Sequence, residues 1–352
     1  MENNELTMLV GTYTTGKSKG IYLYRFNEET GDSKALSFAE AANPSFLSVS
    51  MDGKYVYAVE EGNEDSAVNC FSFNKEKGTL AFINRQLTNG ESPCHINTDG
   101  KNIITANYGG GSLSVLPINN DGSLQAVSSL IKFEGKGLHR KRQLSPHPHY
   151  SIFTPDGKYL LLTDLGTDKI YKFNINDDTN ITGSERMLTA GTPESFHVAV
   201  ESGPRHIIFS QNGNYAYLIN EISGKVTVFE YKEGMLKEVQ SITSDTVSAQ
   251  GSADIHISPD GKFLYSSNRL KNDGIAIFRI NAADGTLERT GYQRTGIHPR
   301  NFIITPNGKF LLVACRDIDS IQVYERDIDT GLLTNIDKDI MVYSPVCIKF
   351  AQ

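Results

Sequence analysis

A turn glycine recurs at six places along the chain, each time between two short segments in which apolar and polar residues alternate. The spacings between successive glycines are 47, 57, 56, 48 and 47 residues. Each glycine follows Asp or Asn, the usual composition of a tight turn between antiparallel strands. Repeats of this length, built from short strands, are typical of β-propeller blades. The six glycines are Gly53, Gly100, Gly157, Gly213, Gly261 and Gly308.

A second pair of alternating segments follows each of these units, so one repeat supplies four strands. Residues 20–36 form a seventh copy of this second pair, but only one strand-like segment, residues 7–13, precedes it. The missing strand is at the other end of the chain, in residues 344–350. We therefore predict an all-β fold, a seven-bladed β-propeller with four antiparallel strands per blade, forming a single domain over residues 1–352. The N- and C-terminal strands share one blade and close the ring, which removes exposed sheet edges.

The overall composition excludes several classes of partner. Asp and Glu number 41 against 34 Lys and Arg, a net charge of −7, whereas a nucleic-acid-binding protein usually has a basic face. No apolar run approaches the ~18 residues of a membrane span, and the N-terminus does not resemble a signal peptide. We expect a cytoplasmic monomer that binds neither nucleic acid nor membrane. The cysteines have no CxxC or metal-ligand spacing, so we expect reduced thiols, no metal and no cofactor; they are Cys70, Cys94, Cys315 and Cys347.

The two larger repeat spacings locate two insertions. One covers residues 129–149 and leads into the strand at Pro148; the other covers residues 184–203 and leads into the strand at Pro204. Both lead into the same strand of their repeats, so both belong to the same face of the propeller. Because loops on one face commonly build the functional site, we expect the site there.

The first strand of each repeat is expected to line the central channel, so equivalent positions form a ring. A scaffold needs small or apolar residues there, since unpaired buried charge is costly. Arg205, Arg300 and His149 are therefore predicted to belong to the site. For the adjacent His95 and His206 we expect partners in neighbouring blades, and we keep both as candidate substrate-binding residues. The ring position after the leading proline holds Ser45, Cys94, His149, Arg205, Arg300 and Val346, with Ala253 in the repeat that lacks the proline.

The second strand of each repeat ends at the same opening, with a further set of polar residues. Glu221 is a candidate general base, and His149 is the alternative because its ordinary pKa of ~6.5 suits proton transfer near neutrality. The arginines are suited to hold an anion or a developing oxyanion. We also include Arg142, from the basic run at residues 139–142, among the substrate-binding candidates. The strand-end set comprises Thr12-Tyr13, Glu60-Glu61, Asn107-Tyr108, Asp164, Asn220-Glu221, Asn268-Arg269 and Arg316, of which Asn107 and Asn220 are taken as substrate-binding candidates.

Longer motifs across the whole chain carry a family resemblance. They are LVGTYT at 9–14, NPSFL at 43–47, NYGGGS at 107–112, RQ-x-x-PHPH at 142–149, GPRH at 203–206, NE at 220–221, ADIHISPDGK at 253–262 with SNR at 267–269, and HPRNF at 298–302. Together they resemble the seven-bladed propeller lactonase family, which includes bacterial 6-phosphogluconolactonases and has fungal carboxymuconate lactonizing enzymes as relatives. The resemblance implies a lactone hydrolase without metal or cofactor. It also implies an active site containing Glu221, His149, Arg205 and Arg269.

Three functions remain open at this point. The leading hypothesis is hydrolysis of a small anionic lactone, 6-phospho-D-glucono-1,5-lactone, to 6-phosphogluconate in the pentose phosphate pathway. The second is a lactonase or muconate-type cycloisomerase acting on another anionic lactone, because the same groups could serve both directions of reaction. The third is a non-catalytic binding propeller, a common use of this architecture. A binding propeller predicts a broad apolar or aromatic patch, which the absence of Trp and the charged ring positions argue against.

Overall fold

The structure, a computed structural model, describes residues 4–175, Leu188 and residues 193–351. Seven antiparallel sheets form a ring, and each innermost strand contacts the innermost strands of both neighbouring sheets. Apart from a single turn of 3-10 helix at Arg316–Ile318, the regular structure of the described residues is all strand. The predicted all-β seven-bladed propeller is therefore confirmed.

Each blade is numbered by its position after the N-terminal strands and read from the channel outward. Blade 1 consists of β4 (Leu47–Val49), β5 (Tyr55–Glu60), β6 (Ala67–Asn74) and β7 (Thr79–Leu87). Blade 2 consists of β8 (Pro93–Thr98), β9 (Asn102–Asn107), β10 (Ser112–Pro117) and β11 (Ser129–Lys132). Blade 3 consists of β12 (Pro148–Phe153), β13 (Tyr159–Asp164), β14 (Lys169–Asn174) and β15 (Glu194–His197). Blade 4 consists of β16 (Pro204–Phe209), β17 (Tyr215–Asn220), β18 (Lys225–Lys232) and β19 (Met235–Thr243).

The last three blades complete the ring. Blade 5 consists of β20 (Ser252–Ile257), β21 (Phe263–Asn268), β22 (Gly274–Ile280) and β23 (Leu287–Arg294). Blade 6 consists of β24 (Pro299–Ile304), β25 (Phe310–Cys315), β26 (Ser320–Arg326) and an outer edge in two short pieces, β27 (Leu333–Asn335) and β28 (Ile340–Met341). Blade 7 consists of β29 (Pro345–Ala351), β1 (Glu5–Thr12), β2 (Gly20–Asn27) and β3 (Ser33–Glu40). Its C-terminal strand pairs with its N-terminal strand, from Thr7 opposite Ala351 to Thr12 opposite Pro345, as the ring-closure prediction requires.

The two predicted insertions need a correction, because part of each is an outer strand. Residues 129–132 form β11 and residues 194–197 form β15, so the first loop proper begins after Lys132. The spacing of the turn glycines does not distinguish a short outer strand from a loop, since neither has a strong alternating pattern. Most of the second insertion before β15, and the turn between β14 and β15, lie outside the described residues.

The recurring turn glycines join the first and second strands of blades 1 to 6, and a side-chain network fixes their shape. In blade 3 the Thr154 hydroxyl donates to Asp156 Oδ1 at 2.6 Å, and the Lys158 and Tyr159 amides donate back to these two side chains. Gly157 has a φ of +69°, a left-handed conformation that favours glycine. The network explains why Ser or Thr comes two residues before the Asp or Asn of the turn in every one of these blades except blade 2.

Neighbouring blades are held together by apolar clusters and by a repeated tyrosine contact. Six clusters of buried side chains each bridge adjacent blades, and together they span all seven blade interfaces. Tyr217 in blade 4 donates its hydroxyl to the carbonyl of Gly285 in blade 5 at 3.0 Å. A Cβ at Gly285, whose φ is +70°, would lie 2.4 Å from the Tyr215 ring, so only glycine fits there. Burying a large apolar side chain contributes about 1.5–3 kcal/mol, so the interfaces between blades supply most of the core's stability.

Candidate active site

A β-bulge near the start of the inner strand takes one residue out of the ladder in several blades. In blades 3, 4 and 6 the pairing with the second strand shifts register immediately after the leading proline. The residue inside each shift is His149, Arg205 or Arg300, and it has no partner in the ladder. Bulges re-aim a side chain and are common beside active sites. The sequence pattern therefore predicted the ring residues, and the bulge is the physical reason that they diverge from the sheet.

The exit of the second strand supplies the opposite half of the opening. Glu221 and Arg269 are the first residues after β17 and β21, respectively. The Glu221 amide donates to the Gly203 carbonyl, and the Arg269 amide donates to the Gly251 carbonyl, which ties each exit to the loop entering the inner strand of the same blade. The two halves of the candidate site are therefore fixed to each other by backbone hydrogen bonds.

Glu221 lies at the centre of three arginines. Its Oε2 accepts from Arg205 Nε at 2.9 Å and lies 3.2 Å from Arg269 Nη2. Its Oε1 accepts from Arg142 Nη2 at 2.5 Å. Only 7% of the Glu221 side chain is exposed, against 34% for Arg142, so Arg142 covers the cage from the solvent side. The loop that carries Arg142 is thereby part of the site, as the sequence predicts for the first insertion.

The charge balance of this cage sets its proton chemistry. Burial alone would raise the pKa of Glu221, but Arg269, Arg205 and Arg142 outweigh it and hold that pKa at about 2. Burial lowers the pKa of Arg269 to about 9 despite the attraction of Glu221. Glu221 is consequently a carboxylate near neutral pH, and its lone pairs are occupied by guanidinium donors. It is a better organiser of the arginines than a proton acceptor.

Two buried histidines orient the arginines that bind Glu221 Oε2. Arg205 Nη1 donates to His206 Nε2 at 3.0 Å, and His206 Nδ1 lies 2.7 Å from Asp254 Oδ1. Because His206 Nε2 accepts a hydrogen bond from arginine, the ring must be neutral, with its own proton on Nδ1 directed at Asp254. Burial and the Arg205 charge accordingly lower the pKa of His206 to about 3.

A second chain of the same kind reaches Glu221 from blade 6. Arg269 Nη1 donates to His298 Nε2 at 3.2 Å, and His298 Nδ1 lies 3.5 Å from Asp317 Oδ2. Burial and the Arg269 charge lower the pKa of His298 to about 3 as well. Two Asp–His–Arg chains thus converge on one carboxylate oxygen. Neither chain was predictable from the sequence, because their members come from separate blades.

His149 and the aromatic residues below it form the floor of the site. His149 Nδ1 is buried and has no hydrogen-bond partner among the described residues. Burial, together with Arg205, His206 and Arg300, lowers the pKa of His149 well below its ordinary value, so the ring is neutral near pH 7. It makes edge contacts with Tyr108 at 5.8 Å and with His206 at 5.3 Å between ring centres. The protein therefore leaves this imidazole nitrogen without a hydrogen bond.

Three other candidates are used within the scaffold. His95 Nδ1 accepts from the Ser151 amide of blade 3, and its ring lies 4.0 Å from that of Tyr150, so it lies in the floor. Asn107 donates to Ser112 and Ser114 in its own blade. Asn220 Nδ2 donates to the Lys225 carbonyl and to Thr227 Oγ1. The Asn107 amide and Asn220 Nδ2 thus serve turn closure, whereas Asn220 Oδ1 is buried without a partner among the described residues.

Three further residues of the strand-end set lie in the site, although they were not among the candidate site residues. Tyr13, Glu61 and Tyr108 occupy the same place after their second strands as Glu221 and Arg269. The Tyr13 hydroxyl donates to Glu61 Oε2 at 3.0 Å, and the Arg142 guanidinium donates to the Tyr108 hydroxyl at 3.4 Å. Aligning the residue one step beyond each second strand would have found this set. His147 and His298 share another signal, since each immediately precedes the leading proline of its blade.

One groove at the other end of the propeller is less suited to an anion, because no Lys or Arg lines it. This groove, of about 210 Å³, lies between blades 4 and 5 and is lined by the recurring turns, including Asn212, Tyr217 and Asp260. Asp260 in this lining forms an ion pair with Arg326, so the Arg326 charge is already paired with a carboxylate. In the described part of the chain, no three His, Cys, Asp or Glu side chains lie close enough together to hold a metal ion. No helix among the described residues is long and apolar enough to span a membrane.

The buried neutral histidines predict an early loss of stability in acid. His95, His149, His206 and His298 all have pKa values below the ~6.5 of an unfolded histidine. Their contribution to the free energy of unfolding is complete above ~6.5 and is lost as the pH falls from ~6.5 towards 3. The reason is that histidines of the unfolded chain take up protons at a higher pH than the buried ones. Each histidine contributes a slope of up to about 1.4 kcal/mol per pH unit. Urea unfolding at pH 8, 6.5, 5.5 and 5 should show the decline beginning below 6.5; an unchanged free energy of unfolding down to pH 5 would contradict it.

Comparisons with known proteins agree with this arrangement. A family model described as lactonase, 7-bladed beta-propeller, matches residues 7–350. The chain is 39% identical over 345 residues to a 6-phosphogluconolactonase of Formosa agariphila, covering 95% of this chain and 96% of that protein. The solved structure of a Bacteroides fragilis protein, provisionally assigned as a 6-phosphogluconolactonase, has 60% identity and a TM-score of 0.96 over 99% of both chains. A periplasmic gluconolactonase of Pseudomonas aeruginosa has 32% identity and a TM-score of 0.91, also over 99% of both chains.

Proposed function

The chain belongs to the seven-bladed β-propeller lactonase family, and we propose that it hydrolyses 6-phospho-D-glucono-1,5-lactone to 6-phosphogluconate. Both the similarity to known proteins and the charge of the site support this proposal. The relatives named as 6-phosphogluconolactonases align over nearly the whole chain. The candidate site independently has the charge that a phosphorylated lactone requires.

The observation that carries the proposal is the excess of positive charge at the opening. Arg142, Arg205, Arg269 and Arg300 face it, against the carboxylates of Glu221 and Glu61. Asp254, behind the neutral His206, reduces the positive excess by one, and Asp317 is offset by Arg316. The remaining excess makes the site suited to a small anionic ligand such as a phosphate monoester.

The arrangement performs lactone hydrolysis in two steps. Water adds to C1 of the lactone, and the carbonyl oxygen takes negative charge that the guanidinium groups around Glu221 stabilise. The C1–O5 bond then breaks, and O5 receives a proton to give the ring-opened acid. The uncatalysed reaction already proceeds in water, so positioning and charge stabilisation supply enough of the barrier reduction.

We assign the proton acceptor for the attacking water to His149. Glu221, the other candidate, has a pKa of about 2 because its three arginines outweigh the effect of burial, and it lies within bonding distance of three guanidinium groups. The His149 ring is neutral and makes no hydrogen bond to the described residues, so the protein does not occupy its nitrogens. Glu221 instead holds Arg205 and Arg269 in the orientation that their histidine partners also favour. The two residues thus have separate roles, whereas from the sequence alone either Glu221 or His149 could be the general base.

The test is turnover of freshly prepared 6-phospho-D-glucono-1,5-lactone in comparison with buffer. We expect the enzyme to accelerate hydrolysis well above the spontaneous rate, with a lower kcat/KM for the unphosphorylated 1,5-lactone. The unphosphorylated substrate tests the second candidate, which the similarity to the Pseudomonas gluconolactonase favours. A rate on the phosphorylated lactone equal to that of buffer would refute the proposal.

We further propose that the protein acts as a monomer in the cytoplasm, without nucleic-acid or membrane partners. All four cysteines are buried and unpaired, as in a reducing compartment. A phosphorylated sugar lactone is also an intracellular type of metabolite. Fractionation of the source cells and light scattering of the purified protein test these two points.

A further inference from the structure

Arg300 is the arginine of the opening whose N–H groups have no hydrogen-bond or ion-pair partner among the described residues. It is partly buried, and its guanidinium group lies over the Tyr13 ring at 5.5 Å from the ring centre. Unlike Arg142, Arg205 and Arg269, it makes no side-chain hydrogen bond and has no carboxylate within 4 Å among the described residues. Its five N–H groups are therefore free to bind an anion.

Arg205 offers free donors on the neighbouring side of the ring. Its Nε binds Glu221, and its Nη1 binds His206 and the Ala253 carbonyl, which leaves Nη2 without a partner among the residues described. Arg205 and Arg300 occupy the bulge position of blades 4 and 6. Blade 5, between them, has only the methyl group of Ala253 at the corresponding position.

Two guanidinium groups in a buried opening repel each other unless an anion lies between them. The repulsion is evident in Arg205, whose pKa is lowered by burial and by the Arg300 charge despite the attraction of Glu221. A planar guanidinium group binds a phosphate through two parallel N–H bonds, and such charge-assisted bonds are stronger than neutral ones. The cage around Glu221 is less suited to a phosphate, because each of its guanidinium groups already contacts the Glu221 carboxylate.

We propose that Arg300 and the free Nη2 of Arg205 form an anion subsite that binds the phosphate group of the substrate, separate from the lactone end at Glu221 and His149. The inference rests on the proposed function for the identity of the anion. It makes Arg300 the residue that determines preference for a phosphorylated lactone. It also divides the arginines by role, with Arg142 and Arg269 serving the lactone end alone.

The decisive experiment compares Arg300→Met with the wild-type enzyme on 6-phospho-D-glucono-1,5-lactone and on unphosphorylated glucono-1,5-lactone. Loss of one charge-assisted phosphate contact should lower kcat/KM for the phosphorylated substrate by roughly 10–100-fold. The value for the unphosphorylated lactone should stay within about threefold, because the lactone end is intact. Arg300→Lys keeps a positive charge but cannot donate two parallel hydrogen bonds to the phosphate. Its kcat/KM for the phosphorylated lactone should therefore lie between those of the wild type and Arg300→Met.

Titration calorimetry with inorganic phosphate tests the subsite without relying on turnover. We expect phosphate to bind the wild-type protein and to bind Arg300→Met at least tenfold more weakly, with Arg279→Met, at an outer surface of blade 5, binding as wild type. An equal loss of activity on both lactones, or unchanged phosphate binding in Arg300→Met, would overturn the subsite. Failure of the proposed function has a different signature, since the wild-type enzyme would then not turn over the phosphorylated lactone although phosphate binding still responded to Arg300.

Discussion

Glu221→Gln is expected to remove most of the activity and a large part of the stability. The amide keeps the size of the side chain but removes the charge that holds Arg142, Arg205 and Arg269 together. Breaking a buried ion pair by removing one partner costs about 3–5 kcal/mol, so the urea midpoint should fall clearly. Misplaced guanidinium groups should lower kcat on the order of 10²–10³-fold, as does loss of an oxyanion-stabilising donor.

Glu60→Gln is the matched control for this prediction. Glu60 is one residue from Glu61 in sequence, and it pairs with Arg85 in a partly exposed position at 2.8 Å. An exposed pair contributes about 0–1 kcal/mol, and Glu60 does not contact the arginine cage, so activity should be unchanged. If Glu221→Gln kept the turnover and the unfolding midpoint of the wild type, the central role of the cage would be wrong.

His149→Ala is expected to produce the second large loss, and in kcat more than in KM. Loss of a general base typically costs about 10²–10⁴-fold in rate. The substitution leaves a space next to Tyr108 and His206, which contact the imidazole edge-on. Added imidazole should therefore restore part of the rate in the variant and have no such effect on the wild type.

His197→Ala supplies the comparison for His149. His197 is exposed on the outer strand of the same blade, so its removal should leave kcat unchanged. If kcat of His149→Ala stayed within about threefold of the wild-type value, or did not respond to imidazole, another group would have to be the general base.

The fold could be predicted from the sequence because each blade repeats the same local physics. Every blade from 1 to 6 has a turn with Asp or Asn before glycine, and these turns, as at Gly157, are fixed by nearby side chains. The closure of blade 7 followed from the strand missing beside residues 7–13. The outer strands at Ser129–Lys132 and Glu194–His197 escaped prediction, because a short strand at the sheet edge has few buried positions and no alternating pattern.

The site was predictable only where its residues occupy equivalent positions in the repeats. Arg205 and Arg300 stood out because charge is unexpected at a channel position, and the β-bulge explains their direction. The partners of these arginines were not predictable, since the contact between Arg269 and His298 joins blades 5 and 6. Nor could the sequence distinguish Glu221 from His149 as the base. Their protonation depends on three converging arginines in one case and on burial beside Arg205 in the other.

The structure of the protein with bound 6-phosphogluconate tests the account most directly. We expect the carboxylate of the product, which derives from the lactone carbonyl, beside His149 and the cage around Glu221. The phosphate should lie between Arg205 and Arg300, with its oxygens within hydrogen-bond distance of Arg300. Product bound in a groove at the opposite end of the propeller, or bound at the opening with its phosphate away from both arginines, would contradict the account.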